Sequence, residues 1–584
     1  IATADGPLAG AADTAYSYYD AMRRLRASVS PDPDGGGGLH HRVVRTSYNK
    51  DGQPKLIEVG HVSAPSNWDE MTVLQRQSTT YDAKKRVSSA LTEGRISAGA
   101  SFEKFSMTQV AYTAGSQPEC SVLRMNPASF SLTPATSACV ASTAGAFGPD
   151  RMSRVEYDVY GAVDVVKAGL PTSAITEMAM TRTLSGQVEF ITDANGNETK
   201  YEYDGFDRVV RTIYPSATTA GQQNASDYEQ ITYDVYGRVA STRSRDNGVF
   251  SYYYDNLGRV TSIDAPGSAL DATYTYDLLG RSKSESRNGQ TLTRNFDALG
   301  RVTSETQQMG TVAYQYDAAG RRTRMDWPGG GFYVTYNYNM VGQVTSISEN
   351  GSTALATFTY DNLGQRKTLT RNNSSSTTYT FDGASRLTIL DHDLGASGYD
   401  LEAELAYNPA GQIVSRTTDN ANYNYPHPAA YSDTYSANGL NQYTAIPGAT
   451  PTYDARGNMT NDGTKSYGYD ACNRLIAAGS ASLAYDPSGR LYEVTGGSTR
   501  RFTGAQSGLP NRYGWVTSLA KSTTVEEFVR QLGVNAGDQV LEAQILMPKS
   551  IARLPEDSTV AADFFRRSIP TRVSLVVHRV VFHA

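Results

Sequence analysis

Tyr233-Asp-Val-Tyr-Gly-Arg-Val239 and Tyr254-Asp-Asn-Leu-Gly-Arg-Val260 are two copies of the seven-residue motif that decides the fold. Through the middle of the chain the motif recurs roughly every 20 residues, a period that is typical of repeat proteins. These copies begin at Tyr233, Tyr254, Tyr276, Phe296, Tyr316, Tyr338, Tyr360 and Phe381. More widely or less regularly spaced copies extend the pattern over residues 19–491. A repeat of this regularity predicts one structural unit per copy.

The chemistry of the motif predicts a β-hairpin. The residues before it, such as Thr273-Tyr-Thr-Tyr276, alternate with the period of two that is typical of a strand. The Asp can accept a backbone N–H at the start of a turn, and the Gly three residues later allows a conformation that bulky residues resist. We therefore assign structural roles in turns to Tyr233, Asp234, Gly237, Arg238, Tyr254, Asp255, Gly258, Arg259, Tyr276, Asp277, Gly280, Arg281, Tyr316, Asp317, Gly320, Arg321, Tyr485, Asp486, Gly489 and Arg490.

Composition favours a thin sheet over a thick aliphatic core. Hydrophobic residues make up 39% of the chain, and Tyr, with 39 copies, far outnumbers Phe with 16. A Tyr ring can pack on one side while its hydroxyl remains hydrogen-bonded. We predict an all-β protein in which stacked hairpins form a spiral sheet, because twist forces so long a ribbon to coil around a hollow interior.

The repeated motif, the stretch Asp193-Ala-Asn-Gly-Asn197 and the stretch 436–443 closely resemble the RHS/YD-repeat family. That family includes bacterial polymorphic toxins and the YD shells of teneurins. The resemblance implies a non-enzymatic, hollow β-shell, secreted or on the bacterial cell surface, that encapsulates its own C-terminal toxin polypeptide for intercellular competition. The alternative is a cell-surface adhesion scaffold that binds a glycan or a protein.

The chain departs from the family pattern where such shells close. Phe502-Thr-Gly504 and Gly508-Leu509 echo the start of the closing segment, but the sequence from Pro510 onward does not follow it. The Asp-Pro-x-Gly element at which family members cleave themselves does not follow either. We therefore carry over no cleavage residues and predict no catalytic residue.

Three regions are expected along the chain. Residues 1–200 hold widely spaced repeats, residues 201–505 form the regular shell, and residues 506–584 are a divergent tail with a helical segment at 523–532. The tail is either a variable toxin domain or a rearranged end without evolved function, and the altered closing segment favours the second. Because the chain begins at Ile1, we expect it to be a fragment whose signal or anchor would lie upstream.

Outside the repeated turns, no residue pattern predicts a catalytic, metal or cofactor site. His578 and His583 lack nearby Cys or paired acidic residues, so we predict neither a metal nor a cofactor. Aspartates could pair as in glycosidases, but they recur because the turn needs them. Cys120 and Cys139 bracket a short insert and are either a disulfide or two free thiols.

Charge and hydropathy exclude two classes of partner. The net charge of −6 arises from 53 basic and 59 acidic residues without a single-sign block, so nucleic-acid binding is not expected. No stretch approaches the ~18 uninterrupted apolar residues of a membrane-spanning helix.

Overall fold

The computed structural model describes residues 2–8, 11–133, 136–169, 174–395, 398–423, 433–496 and 498–501. The predicted tail at 506–584, with His578 and His583, lies outside these residues. Among the described residues, no helix is long and apolar enough to cross a membrane.

One antiparallel sheet of 33 strands occupies most of the described chain, and each strand pairs with the next one in sequence. Its first third comprises β1 (Ala2–Leu8), β2 (Ala11–Tyr19), β3 (Leu25–Val29), β4 (His41–Tyr48), β5 (Pro54–Val62), β6 (Thr72–Tyr81), β7 (Val87–Gly94), β8 (Glu103–Tyr112), β9 (Pro118–Leu123), β10 (Arg151–Tyr157) and β11 (Val163–Ala168). The middle third comprises β12 (Ile175–Arg182), β13 (Val188–Asp193), β14 (Glu198–Tyr203), β15 (Val209–Pro215), β16 (Gln223–Tyr233), β17 (Val239–Arg243), β18 (Val249–Tyr254), β19 (Val260–Asp264), β20 (Ala272–Tyr276), β21 (Ser282–Arg287) and β22 (Gln290–Phe296). The last third comprises β23 (Val302–Gln307), β24 (Gly310–Tyr316), β25 (Arg322–Asp326), β26 (Tyr333–Tyr338), β27 (Val344–Glu349), β28 (Thr353–Tyr360), β29 (Arg366–Arg371), β30 (Ser376–Phe381), β31 (Leu387–Asp393), β32 (Leu401–Tyr407) and β33 (Ile413–Thr418).

Shorter strands follow in three small sheets. They are β34 (Ser436–Ala437) with β35 (Tyr443–Ala445), β36 (Thr452–Tyr453) with β37 (Met459–Asn461), and the five-stranded set β38 (Tyr467–Tyr469), β39 (Leu475–Ala478), β40 (Ala481–Tyr485), β41 (Leu491–Gly496) and β42 (Ser498–Arg501). Four 3-10 helices lie in loops, at Pro65–Glu70, Pro127–Ser129, Ser268–Leu270 and Ala421–Tyr423. The predicted all-β chain of stacked hairpins is confirmed.

Each motif forms the same hairpin turn. In the first regular repeat the Gly237 N–H donates to the Asp234 carbonyl, and the Asp234 N–H donates to the Arg238 carbonyl. Gly237 has a φ of 80°, the left-handed conformation that closes a type I turn with a bulge. The strand register shifts by one residue beside Tyr233, as a bulge requires.

The hairpins define two edges of the sheet. All the tyrosine-aspartate turns lie at one edge, which we call the YD-turn edge, and the remaining connections lie at the other, the loop edge. The strand pairing is unbroken at residue 200, where the first of the three expected regions ends, because β14 pairs with both β13 and β15.

The sheet coils, so that turns in the C-terminal half of the described chain contact loops in its N-terminal half. The Met340 N–H donates to the Pro33 carbonyl, and the Asn362 side chain accepts from the His40 N–H, 322 residues earlier. We call residues 20–310 the first course of the coil and residues 333–496 the second course. In these contacts the YD-turn edge of the second course packs against the loop edge of the first course. We call this contact the seam.

The coil narrows along its length. Between Arg151 and its contact Gln412 lie twelve turns of the described chain, which begin at residues 158, 183, 204, 234, 255, 277, 297, 317, 339, 361, 382 and 408. Between Arg287 and its contact Cys472 lie nine, which begin at residues 297, 317, 339, 361, 382, 408, 438, 454 and 470. With two strands per hairpin and ~4.8 Å between strands, the circumference falls from roughly 115 Å to roughly 85 Å.

The buried hydrophobic residues form five separate clusters along the wall. One gathers Val312, Met325 and Val334, and another gathers Ala27, Val29 and Val43. The clusters are strung along the sheet, as expected of a wall that is one sheet thick.

Candidate functional site

The repeated turn is a closed set of hydrogen bonds. Asp234 Oδ1 accepts from the backbone N–H groups of Tyr236 and Arg238, both at 2.9 Å. Asp234 Oδ2 accepts from Arg238 Nε at 2.7 Å. The carboxylate therefore satisfies the turn backbone and the arginine at once, which is the arrangement that a structural cap provides.

The same residues join each hairpin to the next. The Tyr254 hydroxyl donates to the Val239 carbonyl of the preceding repeat at 2.7 Å, and the Arg238 guanidinium lies 4.4 Å from the centre of the Tyr254 ring. Equivalent Arg–aromatic contacts link further repeats, at Arg259 and Tyr276, Arg281 and Phe296, Arg301 and Tyr316, and Arg321 and Tyr338. The result is a continuous ladder of Asp, Arg and Tyr along the YD-turn edge.

Electrostatics favours the charged form of several turn aspartates, whereas burial raises the pKa of Asp361. The backbone N–H and guanidinium of Arg259 lower the pKa of Asp255 below its usual range. The Arg208 guanidinium, together with backbone N–H groups, does the same to the pKa of Asp204. A carboxylate that stays ionised and paired is poorly suited to the general-acid role that glycoside hydrolysis needs.

Some repeats replace the ion pair with a neutral pair. In these, Asn takes the place of Asp and Gln takes the place of Arg, and the Asn amide donates to the Gln carbonyl oxygen at 2.8 to 3.1 Å. The pairs are Asn49 with Gln53, Asn339 with Gln343, Asn408 with Gln412, and Asn438 with Gln442. The last three belong to turns that dock in the seam, where a neutral pair costs less to desolvate than an ion pair.

The seam is held mainly by polar contacts. Asn441 bonds to Asp193 at 2.7 Å and to Asn195 at 2.8 Å, and Arg456 bonds to Asp246 at 2.6 Å. Gly94 and Gly383 pass so closely that a side chain on either would collide with the backbone of the other. This close approach is the reason that the turn at Gly383 has no larger residue there.

The seam ends in a buried ionic network. Glu305 has no solvent exposure and lies 2.6 Å from Arg490 and 3.2 Å from Arg294. Arg294 also pairs with Glu285 at 2.6 Å, and Ser488 bonds to both of these side chains. Of this network the sequence pointed to Arg490 as a turn residue and missed the other three charged members, Glu285, Arg294 and Glu305, which lie in β21–β23. The sequence did carry a signal for a buried charge, because Arg294 lies between Leu292 and Phe296 on the same face of β22.

The insert between β9 and β10 is held by a disulfide and a buried ion pair. Cys120 and Cys139 are joined by a disulfide, and Arg124 forms a fully buried ion pair with Asp150 at 2.7 Å. Glu119 with the two Cys residues is the one three-ligand group that the described ranges contain. Both sulfurs are in the disulfide, so they are not free to act as thiolate ligands.

The loop with His40 and His41 lies at the seam. His40 Nδ1 contacts His61 Nδ1 at 3.1 Å, and His41 Nδ1 contacts the Ser30 carbonyl at 2.8 Å. Burial and the charge of His40 lower the pKa of His61, against the opposing effect of Asp361. These histidines therefore contribute to packing between the two courses.

Comparison with known proteins gives a family and a fold. Residues 172–381 match the family model described as teneurin YD-shell. The crystal structure of TcdB2-TccC3-Cdc42 is similar at 14% identity with a TM-score of 0.55, and the Photorhabdus luminescens Tc holotoxin pore is similar at 14% identity with a TM-score of 0.54.

Each of these two alignments covers 87% of this chain and 29% of the solved chain, so the chain spans under a third of the length of those proteins. A comparison with curated protein sequences found no match. At so low an identity the likeness shows a shared fold alone. In its repeats, its coiled sheet and the family match over residues 172–381, the chain is similar to YD-shell proteins.

Proposed function

We propose that the chain is a section of a secreted or cell-surface YD-repeat shell that encloses its own C-terminal polypeptide as cargo. The observation that carries the proposal is the seam. A ribbon of hairpins becomes the wall of a container only where successive courses contact each other, and here the contacts run from Pro33 and Met340 to Glu305 and Arg490.

The character of the wall supports the same proposal. Its repeats are held by ionised turns and Arg–Tyr stacking, so the wall is rigid without a thick core. The proposed function is therefore mechanical. The shell would keep the enclosed segment away from the producing cell and deliver it to a competitor.

Limited proteolysis with intact-mass analysis tests the proposal. We expect the wall to resist as one block and the segment after residue 505 to be protected with it. Glu305→Gln should open the seam, so that the tail is cut faster while the hairpins persist. Thr293→Ala, on the opposite face of β22 from Arg294, is the matched control and should leave the tail protected. Immediate removal of the tail from the unaltered chain would exclude encapsulation.

Adhesion through a glycan is the second candidate, and one cleft favours it. The cleft has a volume of about 560 Å³ and lies at the seam between the loops at 266–290 and the turns at 470–485, with Asn288, Gln290, Asp470 and Tyr485 in its lining. Amide, carboxylate and aromatic groups together suit a sugar. Binding on a glycan array that Asn288→Ala and Gln290→Ala abolish would support it, and an array without signal would reject it.

A further inference from the structure

The loop between β3 and β4 supports two turns of the second course. It comprises residues 30–40, and we call it the docking loop. Its Pro33 carbonyl accepts a hydrogen bond from the Met340 N–H at 3.1 Å. At the end of the loop, the His40 N–H donates to Asn362 Oδ1 at 2.9 Å. Two adjacent turns of the second course therefore depend on the position of one loop in the first course.

A pair of histidines holds the end of the docking loop on β5. His40 Nδ1 lies 3.1 Å from His61 Nδ1, and the two rings stack with their centres 5.1 Å apart. A hydrogen bond between two imidazole nitrogens needs one nitrogen that carries a proton and one that does not. The pair can therefore hold a single positive charge and keep its bond. A second added proton would set N–H against N–H and one cation against another.

The charges around the pair can balance one added proton but not two. Asp361 of the second course favours the charged form of His61, but burial and the charge of His40 outweigh it and lower the pKa of His61. Arg42, the partner of His61 across β4 and β5, adds a positive charge, and Lys367 acts on Asp361. The other charged groups on the elements that pack here are exposed or partly exposed, namely Asp32, Asp34, Asp69 and Glu70.

The turn that carries Asp361 differs from most other turns. A typical turn aspartate pairs with an Arg four residues later, as Asp382 does with Arg386 at 2.7 Å. Asp361 has Gln365 at that position, and its carboxylate accepts from the Gln365 N–H at 2.8 Å. Because its own turn supplies no guanidinium, this carboxylate can balance a charge on the histidine pair.

We propose that His40 and His61 form an acid-sensitive latch that holds the docking loop under the turns at Met340 and Asn362. In mild acid the second proton breaks the bond between the rings, the loop leaves β5, and both turns lose their contacts. The purpose of such a latch rests on the proposed enclosure, because an opened wall would release its cargo in an acidic compartment. The seam contact is measured without reference to cargo, so failure of the latch and failure of the enclosure are separate results.

The direction of the pH effect follows from each titrating group. The folded-state pKa of His61 lies below 6.5, so protons favour the open form as the pH falls below ~6.5. Burial raises the pKa of Asp361 above its ordinary 3.8, so its protonation favours the closed form, but in stronger acid. Against the effect of burial, the Leu39 and Gly37 N–H groups lower the pKa of Asp34, which keeps the loop ordered. The latch should therefore open between about pH 5 and about pH 6.5.

Hydrogen–deuterium exchange of the full chain tests the latch. The Met340 and His40 N–H groups make the seam bonds at the docking loop, so their protection reports whether the seam is closed there. After correction for the intrinsic pH dependence of exchange, protection should fall roughly three- to tenfold from about pH 7.5 to about pH 5.5, since one histidine contributes at most about tenfold at that pH. The Gly439 N–H, which donates to the Ala217 carbonyl elsewhere in the seam, is the internal control and should keep its protection.

Two histidine variants separate the latch from general acid sensitivity. His61→Gln removes the second site for a proton, so the docking loop should stay protected at both pH values. His41→Gln is the matched control. The His41 Nδ1–H donates to the Ser30 carbonyl at 2.8 Å, and protonation of the other ring nitrogen leaves that bond intact. This variant should therefore lose protection in acid as the unaltered chain does.

Asp361→Asn keeps the proposal falsifiable if His61→Gln misfolds. The change reproduces the neutral pair that Asn339 and Gln343 form in the preceding turn. It removes the carboxylate that favours charged His61, so it should enlarge the loss of protection at about pH 5.5 and leave the seam closed at about pH 7.5. Constant protection in the unaltered chain, an equal loss in His61→Gln, or a loss at Gly439 as large as at His40 would each overturn the proposal.

Discussion

The guanidinium of Arg490 lies 2.6 Å from the carboxylate of Glu305, a side chain with no solvent exposure in a distant part of the sequence. The pair joins the last described tyrosine-aspartate turn to β23. Burial disfavours the charged form of Arg490, but Asp486 and Glu305 outweigh that effect and raise its pKa. The contact holds one course of the coil against the other.

Removing one member of this network should destabilise the protein strongly. Glu305→Gln removes the buried carboxylate that Arg490 and Arg294 share. Each arginine keeps one acidic partner, Asp486 or Glu285, so we expect the loss of a charged hydrogen-bonding group to cost about 1.5–3 kcal/mol. Urea unfolding measures the loss. The control is Arg501→Gln, which breaks an exposed cross-strand pair with Glu493 and should cost under ~1 kcal/mol. Equal losses in the two variants would contradict the buried role of Glu305.

The neutral Asn–Gln repeats supply a test of the turn chemistry. Asp255→Asn alone places amide N–H groups against the Arg259 guanidinium and should cost about 1–2 kcal/mol. The double variant Asp255→Asn with Arg259→Gln recreates the pair seen at Asn408 and Gln412 and should recover part of that loss. A double-mutant cycle by urea unfolding measures the coupling. Simple additivity would show that Asp and Arg do not act as a unit.

The turn at Asp204 is one of several that have a residue other than glycine at the left-handed position, and it predicts a stabilising substitution. Asp207 has a φ of 59° at the position where Gly237 has a φ of 80° in the next repeat. Asp207→Gly should raise the free energy of unfolding by about 0.5–1 kcal/mol, because glycine adopts this conformation without strain. The reverse change, Gly237→Asp, should lower it. Thermal melts of the two variants should shift in opposite directions, and shifts in the same direction would refute the strain argument.

The histidine pair predicts a loss of stability in mild acid. The folded-state pKa of His61 lies below its ordinary value of 6.5, because burial and His40 disfavour its charged form. The unfolded chain therefore takes up the proton more readily, and stability falls as the pH drops below ~6.5. Urea midpoints at about pH 7.5 and about pH 5.5 measure the slope. His61→Gln should flatten it, and an unchanged slope would assign the effect to other groups.

Much of the wall was predictable from local chemistry. The Asp-to-Gly spacing predicted a turn at Asp234 and Gly237, and both belong to such a turn in the structure. The Arg–Tyr stacking was not predicted, because the sequence does not show which ring each Arg covers. The structure places Arg238 over Tyr254, one repeat later, since adjacent hairpins bring those side chains side by side.

The seam was not predictable from the repeats. The partners Glu305 and Arg490 meet because nine turns complete the narrow course, and that number depends on accumulated twist and curvature. No local pattern encodes such a sum. The exposure of the turn tips has the same origin, since Leu279 and Leu363 occupy the same position in their motifs and differ in whether the other course covers them.

The sequence by itself determined the unit, the turn and the family resemblance, because each rests on contacts within a repeat or between neighbouring repeats and on the backbone preferences of Asp and Gly. The tertiary structure alone decided which turns dock on another course and which charges are buried. Those features come from packing between courses up to 322 residues apart. Small rotations between neighbouring strands add up over that distance, and only their sum sets which residues meet.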